Sequence, residues 1–421
     1  MRYLKNYIQT VTYLVILFAL LIPPVYSQDP LKKLSFKKDK QKSLSLPFKL
    51  VNNLIIIPIK INNSGSLNFI LDTGLTTTLL TELNPGDSVS LIYAREIQLQ
   101  GLGQGEPLKA IHSYGNEISI KNISGNNQDI YFVPENLFNL SARHGIPING
   151  ILGYSIFSNF IIKIDYIGRT IHFYDPDKFI YSRKYRKYNT IPILMHKTKP
   201  YIFMKVTDNG SNIFDIKVLL DTGASQSLWI DPNSLDDFIH PENSHFTFLG
   251  FGLNGEIFGE ISRLQSLELG GFKLNQPIVS FPDSASIVSA TEMNFRNGSV
   301  GSEVLRRFDL IIDLPNNKLH LKPNSNFREH FTQNLSGMEL LSPYSSLPIY
   351  VVENVRIDSP AWNAGLREGD EISSINDIST SKLELNEIYQ ILQSRPNRKI
   401  LIRAFRDGKP FNTSFRLEEY L

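Results

Sequence analysis

Two stretches of the 421-residue chain, Asn68-Phe69-Ile70-Leu71-Asp72-Thr73-Gly74 and Lys217-Val218-Leu219-Leu220-Asp221-Thr222-Gly223, carry the same tripeptide behind an apolar run. At average residue usage one Asp-Thr-Gly falls at about one position in several thousand, so a single copy reads as a strand ending in a polar turn. Two copies in matched surroundings read as a repeat. The flanks keep step: a glycine pair lies 29 and 31 residues beyond each aspartate, as Gly101 and Gly103, then Gly250 and Gly252. An Asn-Gly-x-x-Gly follows in both, ending at Gly153 and Gly301, and beyond it Phe160, Asp165 and His172 correspond to Phe308, Asp313 and His320. The aspartates are 149 residues apart, so the repeating unit is long enough to be a small domain, and the repeat predicts a two-lobed body.

Composition narrows the chemistry. With no cysteine, the chain has no disulfide framework, thiol nucleophile or cysteine zinc site. Net charge is +2, and the one basic cluster, Lys32 to Lys42, lies in a polar stretch and reads as a solvated linker over 28–45. No folded basic face points to nucleic acid. No His-Glu-x-x-His pair, Gly-x-Ser-x-Gly elbow or phosphate loop appears. Residues 1–27 read as a cleavable export signal: Arg2 and Lys5 supply charge, Val11 to Ile22 is apolar, and Val25-Tyr26-Ser27 is a cleavage site. That apolar run is short against the ~20 residues of a membrane span, so membrane attachment is expected only if the signal stays uncleaved. The mature chain is then expected in the periplasm, the cell envelope or the extracellular space.

From Leu46 onward, short β-branched runs such as Leu54 to Ile61 alternate with Asn, Gly, Ser and Pro, a mostly β pattern. Lobe boundaries fall at 46–180 and 181–323, with a charged connector at 181–190 and a polar linker at 324–335. Over 336–421 the pattern changes to a small α+β module. Ser359-Pro360-Ala361 opens a short helix that Gly365 stops, Leu385, Ile388 and Leu392 share one helix face, and Asp407-Gly408 joins two final strands.

Each lobe offers one carboxylate on a turn after a buried strand. Two carboxylates about 3 Å apart cannot both ionise, so a facing pair shares a proton and holds an acid and a base at one pH. The ionised member takes a proton from a water attacking a peptide carbonyl, and the protonated member donates to the carbonyl oxygen. Neither metal nor cofactor is needed. Thr73 and Thr222 have hydroxyls able to brace the lobes, while Gly74 and Gly223 allow backbone amides close to the carboxylates.

At these residues the chain resembles retropepsin-like aspartic proteases, fused in tandem as in the two-lobed pepsin arrangement, over Leu46 to Pro323. The resemblance implies two pseudo-symmetric β lobes forming one bilobal protease. Asp72 and Asp221 would be its catalytic pair, supported by Thr73, Gly74, Thr222, Gly223 and Ala224. Gly101, Gly103, Gly250 and Gly252 would lie in flaps, with Gly153 and Gly301 in the bracing strands. Two departures stand out: Leu75 occupies a position where the family favours a small residue, and Ser299 replaces an apolar residue of the second brace. Neither lobe has Ser directly after the glycine, which removes a hydrogen bond to the carboxylates and implies an optimum less acidic than pepsin's.

Ser359-Pro-Ala-x-x-Ala-Gly-Leu-x-x-Gly-Asp-x-Ile-x-x-Ile-Asn376 resembles PDZ domains of bacterial envelope proteases, over Gly337 to Leu421. Such domains add an extended peptide, often a free C-terminus, as an extra strand beside a helix. The resemblance implies peptide binding by Gly337, Met338, Glu339 and Leu340, with Ile388 on the groove helix. The function expected is an exported aspartic endopeptidase acting on peptide or protein substrates, monomeric because both aspartates lie in one chain. The alternative is a catalytically silent peptide-binding protein, with Leu75 marking lost activity.

Overall fold

The computed structural model describes residues 33–99, 107–252, 255–283, 295–345 and 347–421. The chain is mostly β, in two lobes followed by a PDZ module. In the first lobe Leu54–Ile61 turns at Asn62, whose φ of 51° suits a tight turn, into Leu67–Leu71, with Ile56 opposite Ile70. Leu67–Leu71 then pairs in parallel with Gly150–Leu152, which is flanked antiparallel by Thr78–Leu80. The second lobe repeats this. Lys199–Thr207 turns into Ile213–Leu220, which pairs in parallel with Gly298–Val300, flanked antiparallel by Leu228–Ile230. Registers correspond: Leu71 lies opposite Leu152, and Leu220 opposite Val300.

The Asn-Gly-x-x-Gly marker has a steric and polar cause. A Cβ on Gly150 would lie 2.1 Å from the Leu79 carbonyl oxygen, and one on Gly298 1.8 Å from that of Trp229, so only glycine admits the crossing strands. Asn149 Oδ1 accepts from the Asn68 amide and Asn297 Oδ1 from the Lys217 amide, both at 2.8 Å, closing the same gap in each lobe.

The lobes share a sheet. Its strand order is Asn189–Pro192, Lys318–Pro323, Phe308–Asp313, Ile161–Asp165, Thr170–Tyr174, Ser43–Pro47, and at its centre Ile162 lies opposite Ile312 and Ile164 opposite Leu310. The paired histidines serve this sheet: His172 Nδ1 is 2.6 Å from Ser45 Oγ and His320 Nδ1 2.7 Å from Thr190 Oγ1. Phe160, Phe173, Phe308 and Leu319 lie in the continuous core beneath it.

Within the described residues, the stretches read as linkers are built into this body, which corrects the expectation for them. Leu34 is buried, Ser35–Phe36 pairs with Ile123 and Ser124, and Ser43–Pro47 alternates exposed Ser with buried Leu as a half-buried strand does. Within 181–190, Tyr185 is buried and Tyr181 Oη lies 2.8 Å from His320 Nε2. The 324–335 segment is held by Arg307, a wholly buried guanidinium that pairs with Glu303 at 2.7 Å, stacks over Phe331 at 3.8 Å and donates to the Glu329 and His330 carbonyls.

The PDZ module has its own core, including Met338, Leu366, Ile388, Ile402 and Leu417. Ser359 Oγ caps Pro360–Asn363 by accepting from the Trp362 amide, and Leu385–Leu392 buries Leu385, Ile388 and Leu392, the face its spacing predicts. The module docks on the first lobe. Arg143 makes a two-pronged ion pair with Glu353 at 2.6 and 2.9 Å, and the Ser342 amide donates to the Ala142 carbonyl at 2.8 Å.

Candidate active site

Asp72 and Asp221 each leave the end of the parallel strand pair, their amides held by the Leu152 and Val300 carbonyls at 3.0 Å. The Gly74 amide donates to Asp72 Oδ1 at 2.6 Å and the Gly223 amide to Asp221 Oδ1 at 3.0 Å. The two carboxyls meet across the lobe boundary, each acting on the other's titration. Each faces the other lobe's glycine: a Cβ on Gly223 would lie 2.2 Å from Asp72 Cγ, and one on Gly74 3.1 Å from Asp221 Cγ. No side chain larger than hydrogen fits at Gly223 with the pair in place.

The threonines interlock beneath. Thr73 Oγ1 donates to the Leu220 carbonyl at 2.5 Å and accepts from the Thr222 amide at 3.0 Å; Thr222 Oγ1 donates to the Leu71 carbonyl at 2.8 Å and accepts from the Thr73 amide at 3.1 Å. Both residues are buried, so four main-chain groups depend on two hydroxyls. Gly153 and Gly301 let the brace approach: added Cβ atoms would lie 2.3 Å from the Leu75 carbonyl oxygen and 2.2 Å from that of Gln226. The Tyr154 amide bonds the Leu75 carbonyl at 2.9 Å, and the Ser302 amide the Ala224 carbonyl at 2.7 Å.

Electrostatics separates the pair. Burial pushes the Asp72 carboxyl well above the carboxylate range, and the neighbouring Asp221 charge pushes it further. Burial also raises Asp221, but the Arg296 guanidinium and the Gly223 amide pull it back. The pair shares its proton, and its unequal surroundings favour the proton on Asp72. Arg296 was not singled out by the sequence reading, yet it had a signal there. It precedes Asn297 where the first lobe has Ile148 before Asn149, so aligning the two repeats exposes the asymmetry.

Leu75 packs against the cluster containing Leu79, Leu108 and Phe138. Ser299 is buried in the brace strand opposite Leu219 without disturbing register. Of the flap glycines, Gly101 and Gly103 lie outside the described residues. Their flanking strands Ala94–Leu99 and Leu108–Ile120 form the expected hairpin. Gly250 and Gly252 sit in the hairpin of His245–Gly252 with Gly255–Arg263, Gly250 at φ 142° beside a bulge. The Gln226 amide group donates to the Leu249 carbonyl at 2.5 Å, tying this hairpin to the loop after Asp221.

The PDZ residues need correction. Met338, Leu340 and Ile388 are 0–2% exposed and face the module's core, so their side chains do not line a groove. The period of two along Met338–Leu341 sends alternate residues inward. Gly337 takes φ 73° with Ser359 packed against it, and Glu339 is pushed up to about 7, by burial first and by Glu353 second. The strand's outer edge is occupied. The Met338 amide bonds Ser336 Oγ at 3.1 Å, the Leu340 amide bonds Tyr389 Oη at 2.9 Å, and the Ser342 amide bonds Ala142.

Comparison with known proteins agrees with these parts of the chain. Residues 57–156 match the aspartyl protease family model, and residues 351–404 match the PDZ domain model. The chain thus carries an aspartyl protease domain in its first lobe and a PDZ domain, a peptide-binding unit, at its C-terminal end, which supports a protease-type function. Among solved structures, the aspartic proteinase from Irpex lacteus aligns at 12% identity and a TM-score of 0.43, over 68% of this chain and 99% of that one. No curated protein matches the chain.

Proposed function

We propose that the chain is an exported aspartic endopeptidase that hydrolyses peptide bonds with a water activated between Asp72 and Asp221. The observation carrying this reading is that two carboxyls from different lobes meet, each seated against the other lobe's Asp-Thr-Gly glycine and held by symmetric threonine contacts. Asp221, which Arg296 and the Gly223 amide favour as the carboxylate of the pair, takes the water proton as the oxygen attacks the carbonyl carbon. Asp72 donates its proton to the carbonyl oxygen, giving a neutral tetrahedral diol. Asp221 then gives its proton to the amine nitrogen while Asp72 takes one from a diol hydroxyl, so the C–N bond breaks to a carboxylic acid and an amine and the pair again shares one proton. Intact Asp-Thr-Gly geometry in both lobes, with Leu75 directed into apolar packing, favours catalysis over a silent peptide-binding scaffold.

Both carboxylates come from one chain, so the active species is a monomer. The PDZ module takes a substrate or partner peptide. Export rests on residues 1–27, and the resulting location is the periplasm, cell envelope or extracellular space. Incubation with a mixed peptide library, read by mass spectrometry beside Asp72→Asn, tests the activity. Cleavage lost in the variant is expected, and equal cleavage overturns the reading.

A further inference from the structure

Two basic stretches far apart in the sequence meet where the shared sheet ends at its edge strand Ser43–Pro47. Ser43 pairs opposite Tyr174, the Asp175 amide donates to the Lys42 carbonyl at 3.0 Å, and Lys178 Nζ donates to the Asp39 carbonyl at 2.9 Å. Residues 37–42 and 174–188 thereby form one surface, with nine lysines and arginines against three aspartates. The whole chain is +2, so this surface at +6 leaves −4 for everything else, and the cations are gathered rather than interspersed. Lys178, 2.6 Å from Asp175, is the one cation among them with a carboxylate partner within the described residues.

Ile180, between Lys178 and Arg183, is 79% exposed, the most exposed large apolar side chain among the described residues. Its neighbours keep it outside. Phe179 and Tyr181 meet edge to face at 4.8 Å, Phe179 also packs on Tyr174 at 4.6 Å and on the buried Tyr185 at 5.4 Å, and Tyr181 Oη donates to Asp313 Oδ2 at 2.5 Å. With both flanking rings held by these contacts, the isoleucine has no route inward. Beside it a pocket of about 220 Å3 is lined by Lys42, Lys178 and Lys184 with Ser43 and Ser182. No described carboxylate lines this pocket, and its ammonium and hydroxyl groups are donors suited to a phosphate.

We propose that this face docks on an anionic membrane surface, with Ile180 inserted below the headgroups, the surrounding lysines and arginines against lipid phosphates, and the pocket holding one headgroup. An apolar insertion and a polybasic patch reinforce each other in peripheral membrane binding, and this face carries both. Single-stranded nucleic acid, the other common polyanion, stacks its bases on open aromatic faces, whereas the rings here pack on one another. The inference is independent of the endopeptidase reading. It gives the chain a membrane contact that needs no uncleaved leader.

The test is sedimentation of residues 28–421 with vesicles of phosphatidylcholine or of its equal mixture with phosphatidylglycerol, the leader being left out so that its apolar run cannot bind lipid instead. The anionic vesicles are expected to bind about a hundredfold more tightly, and added salt should weaken them. Arg183→Gln with Lys187→Gln should cost about twentyfold, because each cation near an anionic surface is worth about fivefold. Ile180→Ser should cost about tenfold. Ile213→Ser, at a 68% exposed isoleucine of the second lobe, should cost nothing. All four side chains are exposed, so the fold persists, which urea unfolding checks. No preference for anionic vesicles, equal losses from Ile180→Ser and Ile213→Ser, or binding untouched by the paired glutamines overturns the proposal. Tighter capture of a labelled oligonucleotide than of vesicles, or binding of inorganic phosphate without any vesicle binding, contradicts it as well.

Discussion

Replacing Thr222 by valine removes one hydroxyl and keeps the side chain's shape, which isolates the threonine interlock. That hydroxyl serves the Leu71 carbonyl at 2.8 Å and the Thr73 amide at 3.1 Å, and the site is fully buried, so water cannot take its place. Each orphaned main-chain group costs about 1–3 kcal/mol, giving about 2–6 kcal/mol in all. With a urea slope of roughly 3 kcal/mol/M, the midpoint drops by about 0.7–2 M. Thr222→Ser keeps both hydrogen bonds and loses one methyl, about 1 kcal/mol. The two threonines share one network, so Thr73→Val combined with Thr222→Val should cost less than the sum of the single changes. Catalysis should fall with Thr222→Val and survive Thr222→Ser, because the interlock sets the spacing of the carboxyls. Urea unfolding of Thr222→Val at the parent's midpoint, with unchanged slope, refutes this reasoning.

The remaining predictions concern protons and the PDZ edge. Asp72 is raised above its ordinary value of 3.8 by burial and by Asp221, so the folded chain holds a proton that the unfolded chain releases. The parent therefore loses stability as pH rises from about 3.8 through the raised value. Asp72→Asn should raise the urea midpoint at about pH 7 and leave it unchanged at about pH 3; equal midpoints at both contradict the raised carboxyl. Arg296→Met removes the charge that pulls Asp221 down, so the acid limb of kcat/KM should move to higher pH, and an unmoved limb rules out that role. Tyr389→Phe with Arg143→Ala frees the Leu340 amide and the first-lobe clasp, so the full chain should bind a labelled C-terminal peptide severalfold tighter by fluorescence anisotropy. Unchanged affinity would mean that the edge is not where the peptide adds.

The catalytic loops and the architecture were legible because they depend on local rules repeated twice. Apolar run, Asp-Thr-Gly and Asn-Gly-x-x-Gly mark strand end, turn and crossing strand, and spacing alone aligned them. The PDZ helix was equally plain, since Leu385, Ile388 and Leu392 recur on one face. Other features depend on contacts remote along the chain. Arg307 turns a polar linker into a fixed floor, and Tyr389 reaches Leu340 across the module. The sequence pattern located the PDZ strand and helix correctly. It did not tell which side of the pleat Met338 and Leu340 take, because that follows from pairing with Tyr350–Val355. Arg296 against Ile148 shows that differences between aligned repeats carry as much as their identities.

The most direct test of the central claim is cleavage of a mixed peptide library by the chain from Gln28 onward, across a range of pH, beside separate Asp72→Asn and Asp221→Asn variants. One shared pair predicts that either substitution abolishes every cut made by the parent. Cuts that persist in one variant, or a parent that makes none at any pH, would contradict catalysis by a single dyad built from both lobes.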